Sequence, residues 1–168
     1  TTVCSNGAAF ALFDLLSGGA MSGGTWTRPA PGGSHSGFYQ PPTDHQGDYT
    51  YTVTGSAPCP ADVAIVTVTE NPVPNAGTGG PLTLCAGGAS VNLFSVLGGS
   101  PQANGTWTGP APSTAVFNGS FIPGVTTPGT YTYTVPGITP CANATASVTV
   151  SLVQPPSAGL SRSITICD

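Results

Sequence analysis

The chain contains two copies of one unit, and that duplication restricts its fold more than any motif it carries. Aligned with itself at an offset of 81, Cys4 falls on Cys85, Leu12-Phe13 on Leu93-Phe94, and Gly24-Thr25-Trp26-Thr27 on Gly105-Thr106-Trp107-Thr108. After one inserted residue the offset becomes 82. Tyr49-Thr50-Tyr51-Thr52-Val53 then meets Tyr131-Thr132-Tyr133-Thr134-Val135, Pro58-Cys59 meets Pro140-Cys141, and Val66-Thr67-Val68 meets Val148-Thr149-Val150. Identity is 14 of 28 positions over residues 4–31 and 9 of 13 over 47–59, which chance does not produce. Proline-rich stretches that favour stiff, extended backbone separate the copies, Asn71 to Gly77 and Pro155 to Gly159. The expected modules are therefore residues 1–75 and 76–157, with 158–168 as a linker and the first strand of a following module. Ile164-Thr165-Ile166-Cys167 repeats Leu82-Thr83-Leu84-Cys85, so the expectation is a tandem array that continues by the same rule.

Each unit reads as β-structure. Tyr49 to Val53 and Val66 to Val68 alternate apolar or aromatic residues with Thr, the period-two signature of half-buried strands. Gly and Pro, 24 and 18 of 168 residues, lie between such runs and act as turn formers. The 39% apolar content argues against a disordered reading of that composition, and the fold class is all-β with many short strands.

A unit of about 80 residues lies where one core is only marginally sufficient, so covalent staples are common in secreted examples. Each full module has two cysteines, which predicts one disulfide per module, Cys4 with Cys59 and Cys85 with Cys141. On chain-entropy arithmetic each such loop stabilises by roughly 4 kcal/mol. Disulfides imply an oxidising, extracellular or cell-surface location. Cys167 is left over, unpaired or an intermodule cysteine whose partner belongs to the next module. Trp26, Trp107 and the tyrosines at 49, 51, 131 and 133 sit within the strand pattern, which favours core packing over an exposed platform for a sugar ring.

In order, Cys, Leu-Phe, Gly-Thr-Trp-Thr, Gly-x-Tyr-Thr-Tyr-Thr-Val, Pro-Cys and Val-Thr-Val resemble the tandem immunoglobulin-like or PKD-like repeats of large secreted and surface proteins of Bacteroidetes. The resemblance covers both modules and the opening of a third. It implies immunoglobulin-like β-sandwich modules of about seven strands, export, and a role as adhesin, stalk or filament, with no catalytic residues to carry over. Gly23-Gly24 becomes Asn104-Gly105 in the second copy, a departure confined to a loop.

Charge excludes most other functions. The chain has two basic residues, Arg28 and Arg162, too few to neutralise a nucleic-acid backbone or to form a basic membrane-surface segment. No apolar run approaches the ~20 residues of a membrane span, so no membrane insertion is expected. From Asn71 to Ser161 there is no Asp, Glu, Lys, Arg or His, which leaves that module nothing for general acid-base work, and the chain is read as no enzyme, without cofactor. His35 and His45 read as solvated loop residues, and the oxygens of Asp44 and Asp48 are a weak candidate calcium loop that lacks the usual spacing. Asn104, Asn118 and Asn143 begin glycosylation sequons. A net charge of −4 gives little electrostatic protection against association, so surfaces made to pack, or a glycan coat, are expected.

The expected function is an extracellular structural repeat protein of a surface fibre, stalk or filament, its partners other copies of the same repeat. The alternatives are an adhesin segment binding glycan or protein through the first module's loops, and an accessory domain of an enzyme.

Overall fold

The computed structural model describes residues 1–110, 116–159, 161, 162, 164 and 165. Among them there is no α-helix, and no helix long and apolar enough to cross a membrane. The protein is nearly all β, in two compact units. One comprises Thr1–Pro74 with Val135–Ala144; the other holds the described residues of 75–134 and 145–168.

In the first unit the strands are β1 (Thr2–Cys4), β2 (Phe10–Ala11), β3 (Thr25–Thr27), β4 (Ser34–His35), β5 (Phe38–Tyr39), β6 (Gly47–Val53) and β7 (Asp62–Asn71), with a 3-10 turn at Leu12–Leu15. One sheet has the order β1-β7-β6-β3-β4 and a second pairs β2 with β5. β6 and β7 form the long antiparallel pair, Gly47 opposite Val68 through Val53 opposite Asp62. The opening strand β1 runs parallel to the closing strand β7, Thr2 opposite Thr69 and Cys4 opposite Asn71.

Period-two patterning places the core. Tyr49 and Tyr51 on β6 and Val66 and Val68 on β7 are buried, while the alternating residues Thr67 and Thr69 are exposed. They pack with Leu12, Trp26 and Tyr39, so side chains from both sheets build one cluster. Trp26 lies 4.9 Å from Tyr51, and Tyr39 meets Tyr49 edge to face at 5.6 Å.

The second copy repeats the plan: β8 (Gly80–Cys85), β9 (Val91–Asn92), a 3-10 turn at Leu93–Val96, β10 (Thr106–Thr108), β11 (Val116–Phe117), β12 (Ser120–Phe121), β13 (Gly129–Val135) and β14 (Ala144–Val153). Its larger sheet has the order β11-β10-β13-β14-β8, and β9 pairs with β12. β8 again runs parallel to the closing strand, Leu82 opposite Val150 and Cys85 opposite Val153. Trp107 lies 5.0 Å from Tyr133, and Phe121 meets Tyr131 edge to face at 5.8 Å.

The expected boundaries differ from the observed units: Asn75 and the described residues of 158–168 group with the second unit. Val135–Ala144, predicted to lie within the module of residues 76–157, groups with the first unit. The reason is local and chemical: Cys141 is bonded to Cys4, and the Asn71 side-chain amide donates to the Thr139 carbonyl at 2.8 Å.

The buried phenols are hydrogen-bonded, as burial of a polar group requires. Tyr51 Oη donates to the Met21 carbonyl at 2.8 Å and accepts from the Gly24 amide at 2.7 Å. Tyr133 Oη does the same with the Gln102 carbonyl and the Gly105 amide, at 2.7 and 2.8 Å. Glycine is required there because a Cβ on Gly105 would stand 2.5 Å from Tyr133 Cζ. Gly105→Ala is therefore expected to destabilise the chain by about 1–3 kcal/mol through overpacking, and Tyr133→Phe by about 1–3 kcal/mol through the orphaned loop groups. Equilibrium urea unfolding of the variants checks both, and unchanged midpoints would contradict the pinning.

Candidate functional site

The cysteines do not pair within the sequence modules. Cys4 is bonded to Cys141, with Cα atoms 5.0 Å apart and a sequence separation of 137. Cys59 and Cys85 are free and exposed. The expected pairs Cys4–Cys59 and Cys85–Cys141 are thus corrected to a single bridge from the opening strand of the first repeat to the loop after β13 in the second. Cys4 ends β1 opposite Asn71, and that loop is seated on the same strand end through the Asn71–Thr139 hydrogen bond. The bridge borders a cleft of about 340 Å³ lined by Asn6, Val73, Pro140 and Asn143, uncharged throughout. Closing a loop of this length stabilises by roughly 5 kcal/mol on chain-entropy arithmetic. Cys167 lies outside the described residues, as does Ile166 of the expected third opening strand.

The polar residues of the first repeat have local duties. His35, expected in solvent, has a side chain only 5% exposed. Its ring sits 4.7 Å from that of Tyr49, where the second copy sets Phe117 4.5 Å from Tyr131, so His35 fills an aromatic position. Nδ1 accepts from the Gly37 amide at 3.1 Å, and Nε2 faces the Asp44 carboxylate at 3.5 Å. The other Asp44 oxygen accepts from the Gln40 amide at 2.8 Å. Asp48 accepts from the Thr67 hydroxyl across the strand pair at 2.6 Å, and His45 is exposed. The two candidate calcium ligands are engaged with different partners, and no group of three or more His, Cys, Asp or Glu able to hold a metal occurs among the described residues.

Trp26 and Trp107 are buried in the core, as core packing requires, and Trp107 also borders a shallow cleft of about 220 Å³ with Phe94, Asn118 and Tyr133. Asn104, Asn118 and Asn143 are all exposed. The Asn118 and Asn143 side chains accept from the Ser120 and Gly137 amides within their own turns.

One interaction had no sequence signal of its own. Tyr39 Oη donates to the Glu70 carboxylate at 2.8 Å. In the second copy the equivalent positions are Phe121 and Leu152, so a polar pair stands where its copy has an apolar one. Comparing positions 39 and 70 jointly with 121 and 152 is the one reading that exposes it.

Compared with protein-family models and with curated proteins, the sequence matches none.

Three phenols are held neutral. Burial raises the pKa of Tyr39 far above its usual value, helped by the hydrogen bond to Glu70 and by that carboxylate's charge. Burial also raises Tyr49, with Asp44 adding to it, and burial alone raises Tyr131. A phenol with a raised pKa in the folded chain stabilises it fully below the unfolded value of 10.0, and that stability is lost as pH rises above it, because the unfolded chain then binds fewer protons. Thermal midpoints measured with the free thiols alkylated should hold below pH 10 and fall above it, and Tyr39→Phe should flatten the fall. A midpoint unchanged to pH 11.5 would contradict the assignment.

Proposed function

We propose that the protein is a non-enzymatic, extracellular structural repeat, one stretch of a surface fibre, stalk or filament made of tandem immunoglobulin-like β-sandwiches. The observation that carries this reading is the Cys4–Cys141 bond, which ties the opening strand of one repeat to a loop of the next. A covalent tie between successive copies suits a chain that must resist extension, and it suits an oxidising location outside the cell.

The immunoglobulin-like reading rests on three features found in both copies. Opening and closing strands pair in parallel at one edge of the larger sheet. A buried Trp sits on an interior strand of that sheet, Trp26 on β3 and Trp107 on β10. Near the start of the long strand a tyrosine bonds back to a carbonyl four residues upstream, Tyr49 Oη to His45 at 2.7 Å and Tyr131 Oη to Thr127 at 2.7 Å, in the manner of a tyrosine corner.

The absence of Asp, Glu, Lys, Arg and His from Asn71 to Ser161 supports a structural role over a catalytic one, and it lets surfaces pack without charge repulsion. Binding of glycan or protein through loops of the first repeat is the alternative, with less behind it now that His35, Asp44 and Asp48 have structural partners. Electron microscopy of the native material is the test. Thin fibres whose density repeats once per module are the expected result. Dispersed monomers that bind a glycan array through residues 40–48 would overturn the structural reading.

A further inference from the structure

The formed bridge has two unformed counterparts, built in the same way. On the strand side, the Gly7 amide donates to the Cys4 carbonyl at 2.8 Å, and Gly88 to Cys85 at 2.9 Å. The Ser5 amide donates to Asn71 at 3.0 Å, and Ala86 to Val153 at 2.9 Å. Cys4 stands opposite Asn71 and Cys85 opposite Val153, equivalent positions of the closing strands. Cys85 therefore occupies the setting that Cys4 occupies, without a loop cysteine bonded to it.

On the loop side, the Cys141 amide donates to the Ile138 carbonyl at 2.8 Å, and the Cys59 amide to Ser56, also at 2.8 Å. Gly55 and Gly137 permit the same tight turn: a Cβ on Gly55 would strike the Cys59 carbonyl, and one on Gly137 the Cys141 carbonyl. Cys59 thus presents its thiol on the same turn that delivers Cys141 to Cys4, and it is exposed. The formed bridge joins the opening cysteine of one repeat to the loop cysteine of the next. Moving that rule one repeat forward leaves Cys85 open to a following copy, and one repeat back leaves Cys59 open to a preceding one.

Resting on the structural-repeat reading, we propose that Cys85 and Cys59 are the two open halves of an inter-repeat disulfide, each completed by another copy of this repeat. Between two copies of this chain the bond formed is Cys85 of one to Cys59 of the other. No charged residue lies between Thr54 and Ala61 or between Thr83 and Val91, so no charge repulsion opposes the approach. The chemistry is thiol–disulfide exchange with a small-molecule disulfide as oxidant. The thiolate of Cys85 attacks one sulfur of oxidised glutathione, releasing one glutathione thiol and leaving a mixed disulfide. The Cys59 thiolate then displaces the second glutathione; two thiol protons pass to the two released thiolates, and two electrons reduce one glutathione disulfide.

Two variants in a Cys167→Ser background test this: Cys59→Ser, which keeps only the Cys85 half, and Cys85→Ser, which keeps only the Cys59 half. Each is incubated alone and with the other in a mixture of reduced and oxidised glutathione. Unreduced electrophoresis and mass spectrometry read the products, and an intact Cys4–Cys141 peptide verifies the fold of both. The mixture should give a Cys85–Cys59 heterodimer at roughly ten times the dimer yield of either variant alone, since positioned groups react at a raised effective concentration. Equal yields from the single variants would mean indiscriminate collision and would overturn the proposal. Thiols capped by glutathione in copies that still associate end to end in sedimentation would overturn the bridge and spare the fibre reading. No association in either redox condition would sink both.

Discussion

The structure depends on a paired-tyrosine strand whose rings fill the core while their hydroxyls hold the loops. Tyr51 and Tyr133 each clamp the segment before the Trp strand by donating to one carbonyl and accepting from one glycine amide. Tyr49 and Tyr131 fix the turn that starts their own strand. In a chain with so little charge, these phenols supply the directional contacts that ion pairs supply elsewhere. Each is worth only about 1 kcal/mol net, but a buried partner left without its bond costs more, so the arrangement specifies one loop geometry. Among the described residues no buried side-chain polar atom lacks a partner.

Around that common frame the two copies differ in polarity. The first uses His35 against Tyr49 and a Tyr39–Glu70 pair; the second has Phe117 against Tyr131, and Phe121 and Leu152 at the equivalent positions of that pair. Shape is retained and charge is not. The histidine and carboxylates of the first copy are thereby variants of a packing scheme, with partners already inside the unit.

Much of this was legible beforehand, for identifiable reasons. Tyr-Thr-Tyr alternation fixes which side chains of β6 and β13 turn inward, since a strand has only two faces. The duplication shows that one plan is used twice, and the Gly before Thr-Trp reappears because the phenol needs that space. The burial of His35 was not legible: a histidine in a Gly- and Ser-rich segment reads as solvent-exposed until Phe117 is recognised as its counterpart. The disulfide departs from the sequence expectation for a physical reason. Two cysteines per module suggest closure within the module, but spacing does not determine connectivity. The pairing follows from which strand end the loop after β13 reaches, a long-range contact with no local signal.

That long-range bond carries the account from fold to function, because it makes one repeat's stability depend on residues of the next. Mass-spectrometric mapping of peptides from the purified, unreduced monomer, its free thiols alkylated before digestion, tests it most directly. The account predicts a linked Cys4–Cys141 peptide with Cys59 and Cys85 both alkylated. Linked Cys4–Cys59 and Cys85–Cys141 peptides would contradict it.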